Sequence, residues 1–321
     1  MPHTIETTGT TSAVKENTLH KRNRLQSYKL FLLILPFLAL LFIFSYLPLY
    51  GWVYAFFDYK PPLKLSQCQF VGWQWFTYLF SNPMQISELG KVIVNTLAMS
   101  SLGILTSPLS MIFAIFLNEI RCKPFKKAAQ TLATLPNFIS WVMIYSVAFA
   151  LFSTTGMVNN VGQALGWFSE PVHFLDSDDH TWLAMLLWGT WKGLGWGAIM
   201  YLASISNIDQ DLYEAAKVDG AGRFSLMWHV TLPGLLPTYF VLLMLQIANF
   251  LTNGLDQYYV FHNSFNMEHI QVLDLYVFLL GLGNGSYALS IALSMMKTII
   301  SVFLLFVVNT LSKVTRGESL I

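Results

Sequence analysis

Lys192 and Lys297 each fall near the middle of a long apolar run, where an ammonium group costs on the order of 2.5–3.5 kcal/mol on insertion scales. Each must meet a partner. One reading gives them helix-end carbonyls or a second subunit; the other has them line a cavity and donate to ligand hydroxyls or carboxylates. Near the same depth stand Trp188, Trp191, Asn249, Asn253, Gln257, Tyr287, Ser290 and Ser294. Aromatic faces stack on the C–H side of a pyranose, and amides and hydroxyls pair with its hydroxyl groups, so this set suits a carbohydrate path. The same residue types also hold membrane helices together, and both readings stay open. No carboxylate is expected at the depth of the lysines: Asp256 falls at the outer end of its run, and the other acids fall in loops or tails.

Enzymatic chemistry finds no foothold. Six of the seven histidines fall in tails or outer loops, and His229 lies in a polar segment. No metal-ligand cluster and no catalytic constellation is seen. A Gly-x-x-x-x-Gly-Lys-[Ser/Thr] loop is missing, so ATP phosphates cannot be cradled by that route.

The elements that must carry these residues are membrane helices. Of 321 residues 55% are hydrophobic and 11% charged, against roughly 25% charged in soluble domains. Six apolar stretches, at about 29–56, 91–117, 128–152, 181–204, 233–256 and 286–311, are long enough to cross a hydrocarbon core of about 20 helical residues. Lysines and arginines gather before the first stretch, at Arg121–Lys127, at Lys217 and Arg223, and at Lys313 and Arg316; only Lys60, Lys64 and Lys91 fall on the other side. The positive-inside rule then puts both termini in the cytoplasm. The first stretch is too long for a cleaved signal, and no small-residue cleavage site follows it. Residues 1–28 read as a disordered cytoplasmic tail, 29–311 as the membrane domain and 312–321 as a second tail. Cys68 and Cys122 fall on opposite sides and cannot pair with each other. The net charge of +1, with no single basic patch, gives no case for nucleic acid.

Pro36, Pro48, Pro108 and Pro136 permit kinks, which moving and static bundles both use. The outer aromatic run Phe70–Phe80 suits an interfacial anchor, or alternatively a ligand surface, and the acidic loop 153–180 either faces an extracytoplasmic protein or is simply solvated. The segment 206–232 differs from all these. It reads as two short helices bent at Gly220, the first capped by Asp209, the second running from Arg223 to about Thr231 before Pro233 starts the next membrane run. An apolar-faced helix in a cytoplasmic loop needs something to dock on.

Within that segment Glu214-Ala215-Ala216, Gly220 and Val230-x-Leu232-Pro233 resemble the Glu-Ala-Ala loop of permease subunits in binding-protein-dependent ABC importers, and Asp219-Gly220-Ala221 is similar to the carbohydrate-uptake branch. Asn118-Glu119, Pro136-x-x-Ile139-Ser140-Trp141 and Gly156-Met-Val-Asn159-Asn160 resemble the same permeases. The resemblance implies an all-α, six-span type I ABC importer permease in the bacterial plasma membrane, carrying oligosaccharides or related carbohydrates. It implies as partners a similar second permease, two copies of a cytoplasmic ATPase that binds ATP and magnesium, and an extracytoplasmic solute-binding protein, with membrane lipid around them and no cofactor bound by this chain. Glu214, Ala215, Ala216, Asp219, Gly220 and Pro233 would couple to the ATPase. The stretch Gln246–Gln257 looks like the segment that lines the sugar site in related permeases. An ion-coupled secondary transporter would instead show internal repeats and carboxylates within its spans, and a membrane-embedded enzyme a polar constellation at one depth.

Overall fold

The computed structural model describes residues 31–316, and among these the regular elements are all helices. The expected tail 1–28 and residues 317–321 lie outside the described residues. The chain divides into two units, one up to Tyr54 and one from Ala55. In the first, α1 (Phe31–Phe56) loosens to a π turn at Phe42–Tyr46 and then tightens to a 3₁₀ helix. Pro48 lacks an N–H and crowds the carbonyl four residues back, which accounts for the change of ladder there.

In the second unit α2 (Gln74–Ser81) is short and amphipathic, burying Leu79 and leaving Trp73 and Phe80 exposed at its ends. The long helix α3 (Pro83–Glu119) starts on Asn82, whose side chain accepts from Met84 N, and its ladder is interrupted at Ser107 before Pro108. Then come α4 (Lys123–Thr134), α5 (Trp141–Phe152), α6 (Met157–Ala164) and α7 (Thr181–Ser206). After α8 (Gln210–Val218) follow α9 (Arg223–Ala248), α10 (Asp256–Phe261), α11 (Leu273–Gly283) and α12 (Tyr287–Arg316).

Among the described residues five helical stretches are long and apolar enough to cross a membrane: α1, α3, Trp141–Ala164, α9 and Tyr287–Thr310 of α12. The expected span 181–204 is present as α7, 26 residues long, but Lys192 and its tryptophans and glycines make it less apolar than the rest. That helix touches α3, α4, α9 and α10. A helix walled by protein on several sides packs through small residues rather than through lipid-like ones. At Gly195 a Cβ would lie 2.2 Å from the Ala133 carbonyl oxygen of α4. Gly195→Val should therefore cost about 1–3 kcal/mol through overpacking, read as a lower midpoint of thermal unfolding in detergent; an unchanged midpoint would contradict this α4–α7 approach.

Two spans differ from expectation. The stretch 128–152 is two helices, because Leu135–Phe138 forms a 3₁₀ turn around Pro136 and Ile139 is extended before Ser140 caps α5. The stretch 233–256 stops at Ala248, and residues 249–255 are unwound up to α10. Beyond the expected span, α12 continues to Arg316. The region between 257 and 285, read as an outer loop, contains the short apolar helix α11.

The connector leading into α11 is tied to α3 and α7. Lys91 Nζ donates to Glu268 at 2.6 Å, and Asn95 Nδ2 donates to the carbonyl oxygen of Glu268 at 2.8 Å. The Lys91 hydrogen bond holds the Glu268 carboxyl below the usual carboxylate range. Trp182 Nε1 donates to Asn95 Oδ1 and to the His269 carbonyl, and Thr96 Oγ1 accepts from Leu273 N at 2.8 Å.

Candidate functional site

The unwound stretch 249–255 and the interruption of α3 at Ser107 face one cavity of about 500 Å³, walled by α3, α7, α9 and the start of α10. Backbone freed from a helix at membrane depth is tolerated where it lines a water-filled space. The walls supply Ser107, Ser110, Thr190, Gln246, Asn249, Thr252, Asn253 and Gln257, with the rings of Trp196 and Tyr239. Among the described residues lining it none carries a charge. Neutral amide and hydroxyl groups beside aromatic faces match a polyhydroxylated, uncharged ligand surface.

The amides are held in specific directions. Gln257 Nε2 donates to the Met185 carbonyl at 2.7 Å, and its side-chain oxygen reaches Gly189, where a Cβ would stand 3.3 Å away. Asn249 Nδ2 donates to the Leu245 carbonyl, and Asn253 Nδ2 donates to Ser100 Oγ at 2.9 Å.

The expected path residues therefore separate into groups. Asn249, Asn253 and Gln257 meet in the cavity. Trp188 sits instead in an aromatic cluster with Phe152, Trp191 and Phe261, all at ring distances of 5.8–6.0 Å. Tyr287 and Ser290 line a neighbouring recess that shares Thr252, and Ser290 Oγ donates to the Val277 carbonyl. Ser294 and Lys297 line another recess.

Both lysines have partners within the chain. Lys192 Nζ donates to the carbonyls of Pro136 at 3.0 Å, Asn137 at 3.2 Å and Ile139, and lies 5.2 Å from the centre of the Trp141 ring. These are the carbonyls released where the 3₁₀ turn separates α4 from α5. Lys297 pairs with Asp274 of α11. The expectation that no carboxylate reaches lysine depth fails at this residue, because reading 257–285 as an outer loop left out the helix that brings Asp274 to Lys297. Gln246, Trp196 and Tyr239 are wall residues that the sequence reading did not select, although Gln246 opens the stretch it favoured.

A second candidate region lies at one end of the bundle. Asp209 caps α8 by accepting from Asp211 N at 3.0 Å. Gly220, with φ +80°, turns the chain into α9. Here the expectation of a separate second helix ending before Pro233 is corrected: the backbone is helical from Arg223 through a π turn at Met227–Thr231 into the membrane run. Pro233 sits in the first turn after that π turn, where its missing N–H is tolerated. Tyr213 OH and Thr231 Oγ1 lie 3.0 Å apart, and Ile208 packs where a Gly234 Cβ would stand. Arg223 reaches back to Glu119 at the end of α3, donating to its carbonyl at 3.0 Å. Glu214, Ala215, Asp219 and Gly220 are exposed and Ala216 half-buried. Leu212, Val218, Phe224 and Trp228 are exposed as well, Val218 at 87%. Polar groups thus tie α8 to α9 and α9 to the end of α3, while Leu212, Val218, Phe224 and Trp228 face outward.

Residues 106–316 match the family described as binding-protein-dependent transport system inner membrane component. Protein LplB of Bacillus subtilis is 37% identical over 293 residues, which cover 91% of this chain and 90% of that protein. The polygalacturonan/rhamnogalacturonan transport system permease protein YteP, from the same organism, is 36% identical over 91% of this chain and 92% of its own length. Among solved structures, a chain of a bacterial ABC transporter involved in the import of the acidic polysaccharide alginate superposes with a TM-score of 0.79 at 29% identity, covering 92% of this chain and 98% of that one. A chain of a bacterial alginate ABC transporter in complex with an alginate pentasaccharide-bound periplasmic protein gives 0.80 at 29% identity, covering 93% of this chain and 98% of that one.

Proposed function

This chain belongs to the family of binding-protein-dependent transport system inner membrane components, and from that premise we propose that it forms one wall of the translocation path of an ATP-driven importer for oligosaccharides. It is a sugar ABC transporter permease, a multi-pass membrane protein of the inner membrane. The observation that carries the reading of the site is the cavity of about 500 Å³ at the break after Ala248, walled by amides, hydroxyls and aromatic rings.

The remaining parts of the machine follow from what the chain has and lacks. A similar second permease closes the other side of the cavity, and an extracytoplasmic solute-binding protein delivers the saccharide. Two copies of a cytoplasmic ATPase, holding ATP and magnesium, dock on the α8–Gly220–α9 segment; its exposed apolar side chains support this. Both termini then lie in the cytoplasm, on the side of the basic clusters. Closure of the ATPase pair tilts α8 as a lever, and α9, continuous from Arg223 to the break, carries that movement to the cavity.

An ion-coupled secondary transporter gains little from Asp274, which is already neutralised by Lys297. The test is reconstitution of this chain with the second permease, ATPase and binding protein in proteoliposomes. Saccharide-loaded binding protein should stimulate ATP hydrolysis and uptake. Asn249→Ala, which removes one exposed amide from the wall, should lower uptake about 2- to 10-fold, as expected for one hydrogen bond of about 0.5–1.5 kcal/mol. Saccharide-independent behaviour of the complete complex would refute the reading.

A further inference from the structure

We propose that Lys297 and Asp274 are a positioning pair: they set the course of the unwound stretch 249–255, and hence the reach of its amides into the cavity, without touching the cargo. This rests on the reading of that cavity as the saccharide path.

The pair is largely enclosed, its side chains keeping 15% and 18% of their exposure. Lys297 stands on α12 and Asp274 in the first turn of α11, so the contact ties two helices. One carboxylate oxygen takes the lysine. The other, Oδ2, accepts from the backbone N–H groups of Asn253 at 2.9 Å and Gly254 at 3.0 Å. These two groups lie beyond the end of α9 and so have no helical carbonyl to donate to, and backbone N–H groups at membrane depth need an acceptor. Gly254 holds φ +84°, the left-handed bend beside those two N–H groups.

The stretch has a second fixed point on α3. Asn253 Nδ2 donates to Ser100 Oγ, which in turn donates to the Phe250 carbonyl at 2.5 Å. Asn253 Oδ1 is buried and has no hydrogen-bond partner among the described residues. The amide is therefore oriented by its donor side and by its own backbone N–H on Asp274. Neither charged residue lines the cavity; both line a recess behind Thr252. The lysine holds one carboxylate oxygen in place, the other oxygen pins the backbone, and the pinned backbone presents Asn249, Thr252 and Asn253.

The experiment compares the reconstituted wild-type complex with the double variant Asp274→Leu/Lys297→Leu, which leaves no unpaired charge and retains apolar volume. Expected is a fall in maximal saccharide uptake of about tenfold or more, the scale on which a misplaced positioning group acts. Assembly, ATP hydrolysis without binding protein and the half-saturating concentration of loaded binding protein should stay at wild-type values. A pair that merely tied α11 to α12 would leave uptake normal in this variant, and that result overturns the proposal. If the double variant does not assemble, Gly254→Val takes over the test. It keeps both charges, its Cβ meets no atom within 4 Å, and its strained φ should swing the two N–H groups off Asp274. The same fall in maximal uptake is expected there, and wild-type uptake overturns the proposal. An inactive wild-type complex overturns the saccharide reading and the pair with it, whereas an active wild type matched by its variants overturns the pair alone.

Discussion

Glu214→Lys should reduce saccharide uptake to background while the subunit still folds, inserts and co-purifies with its partner permease. The folded chain gives this residue nothing to lose: Glu214 is exposed and makes no hydrogen bond or ion pair among the described residues. Surface substitutions of that kind stay within about 0.5 kcal/mol of neutral for the fold. Any large effect must therefore come from a surface that meets α8 from outside the chain, and a reversed charge in a desolvated contact is costly there. Gly220→Val acts at the bend rather than the contact. No atom lies within 4 Å of its Cβ position, so sterics with neighbours are absent, but φ +80° is strained for a β-branched residue by roughly 1–2 kcal/mol. It should re-aim α8 and uncouple ATP hydrolysis from uptake. Uptake at wild-type rates in both variants, measured beside ATP hydrolysis in proteoliposomes, would remove the coupling mechanism.

Lys192→Met is expected to act on assembly. The lysine closes the gap between α4 and α5 by donating to the carbonyls of Asn137 and Ile139 and adding a second donor to that of Pro136, which already accepts from Ile139 N. Each buried acceptor left without a donor costs about 1–3 kcal/mol, so the break loses its support while α7 loses a tie to it. The amount of intact complex extracted from membranes should fall several-fold, and the complexes that survive should show an unchanged half-saturating concentration of loaded binding protein. Normal assembly with lost uptake would place Lys192 in the transport path instead. The same residue separates two readings of buried charge that the sequence left open, and the geometry favours carbonyls over cargo: Lys192 lines a recess with Asn137, Trp141 and Tyr259, away from the main cavity.

How much of this was legible in advance depended on the range of the forces involved. Membrane residence, the all-helical class and the polar segment around Glu214 follow from local composition and spacing, because a bilayer penalises each exposed polar group one by one. The Asp209 cap and the Gly220 bend are local too, each decided within a few residues. Asn249, Asn253 and Gln257 stand out as amides in an apolar run, and the resemblance to related permeases singles out the stretch that holds them. Their surroundings were not: the run 233–256 reads as one helix by hydropathy, and nothing within it announces that the ladder stops at Ala248.

What stops it comes from elsewhere in the chain. Asp274, about twenty residues downstream, accepts from the backbone N–H groups of Asn253 and Gly254, and Ser100, far upstream, donates to the Phe250 carbonyl; a continued α9 would have paired these backbone groups internally. For the same reason sequence could name Lys192 and Lys297 as charges in need of partners, through the desolvation cost of an ammonium group, but could not name the partners. Composition and spacing determined the solvent, the helices and the bent polar segment at 206–232 of this protein, because those answer to short-range penalties. Tertiary structure alone decided which helices break, which lysine meets which oxygen and where the cavity opens, because each of those outcomes balances a lost local hydrogen bond against one made across the bundle.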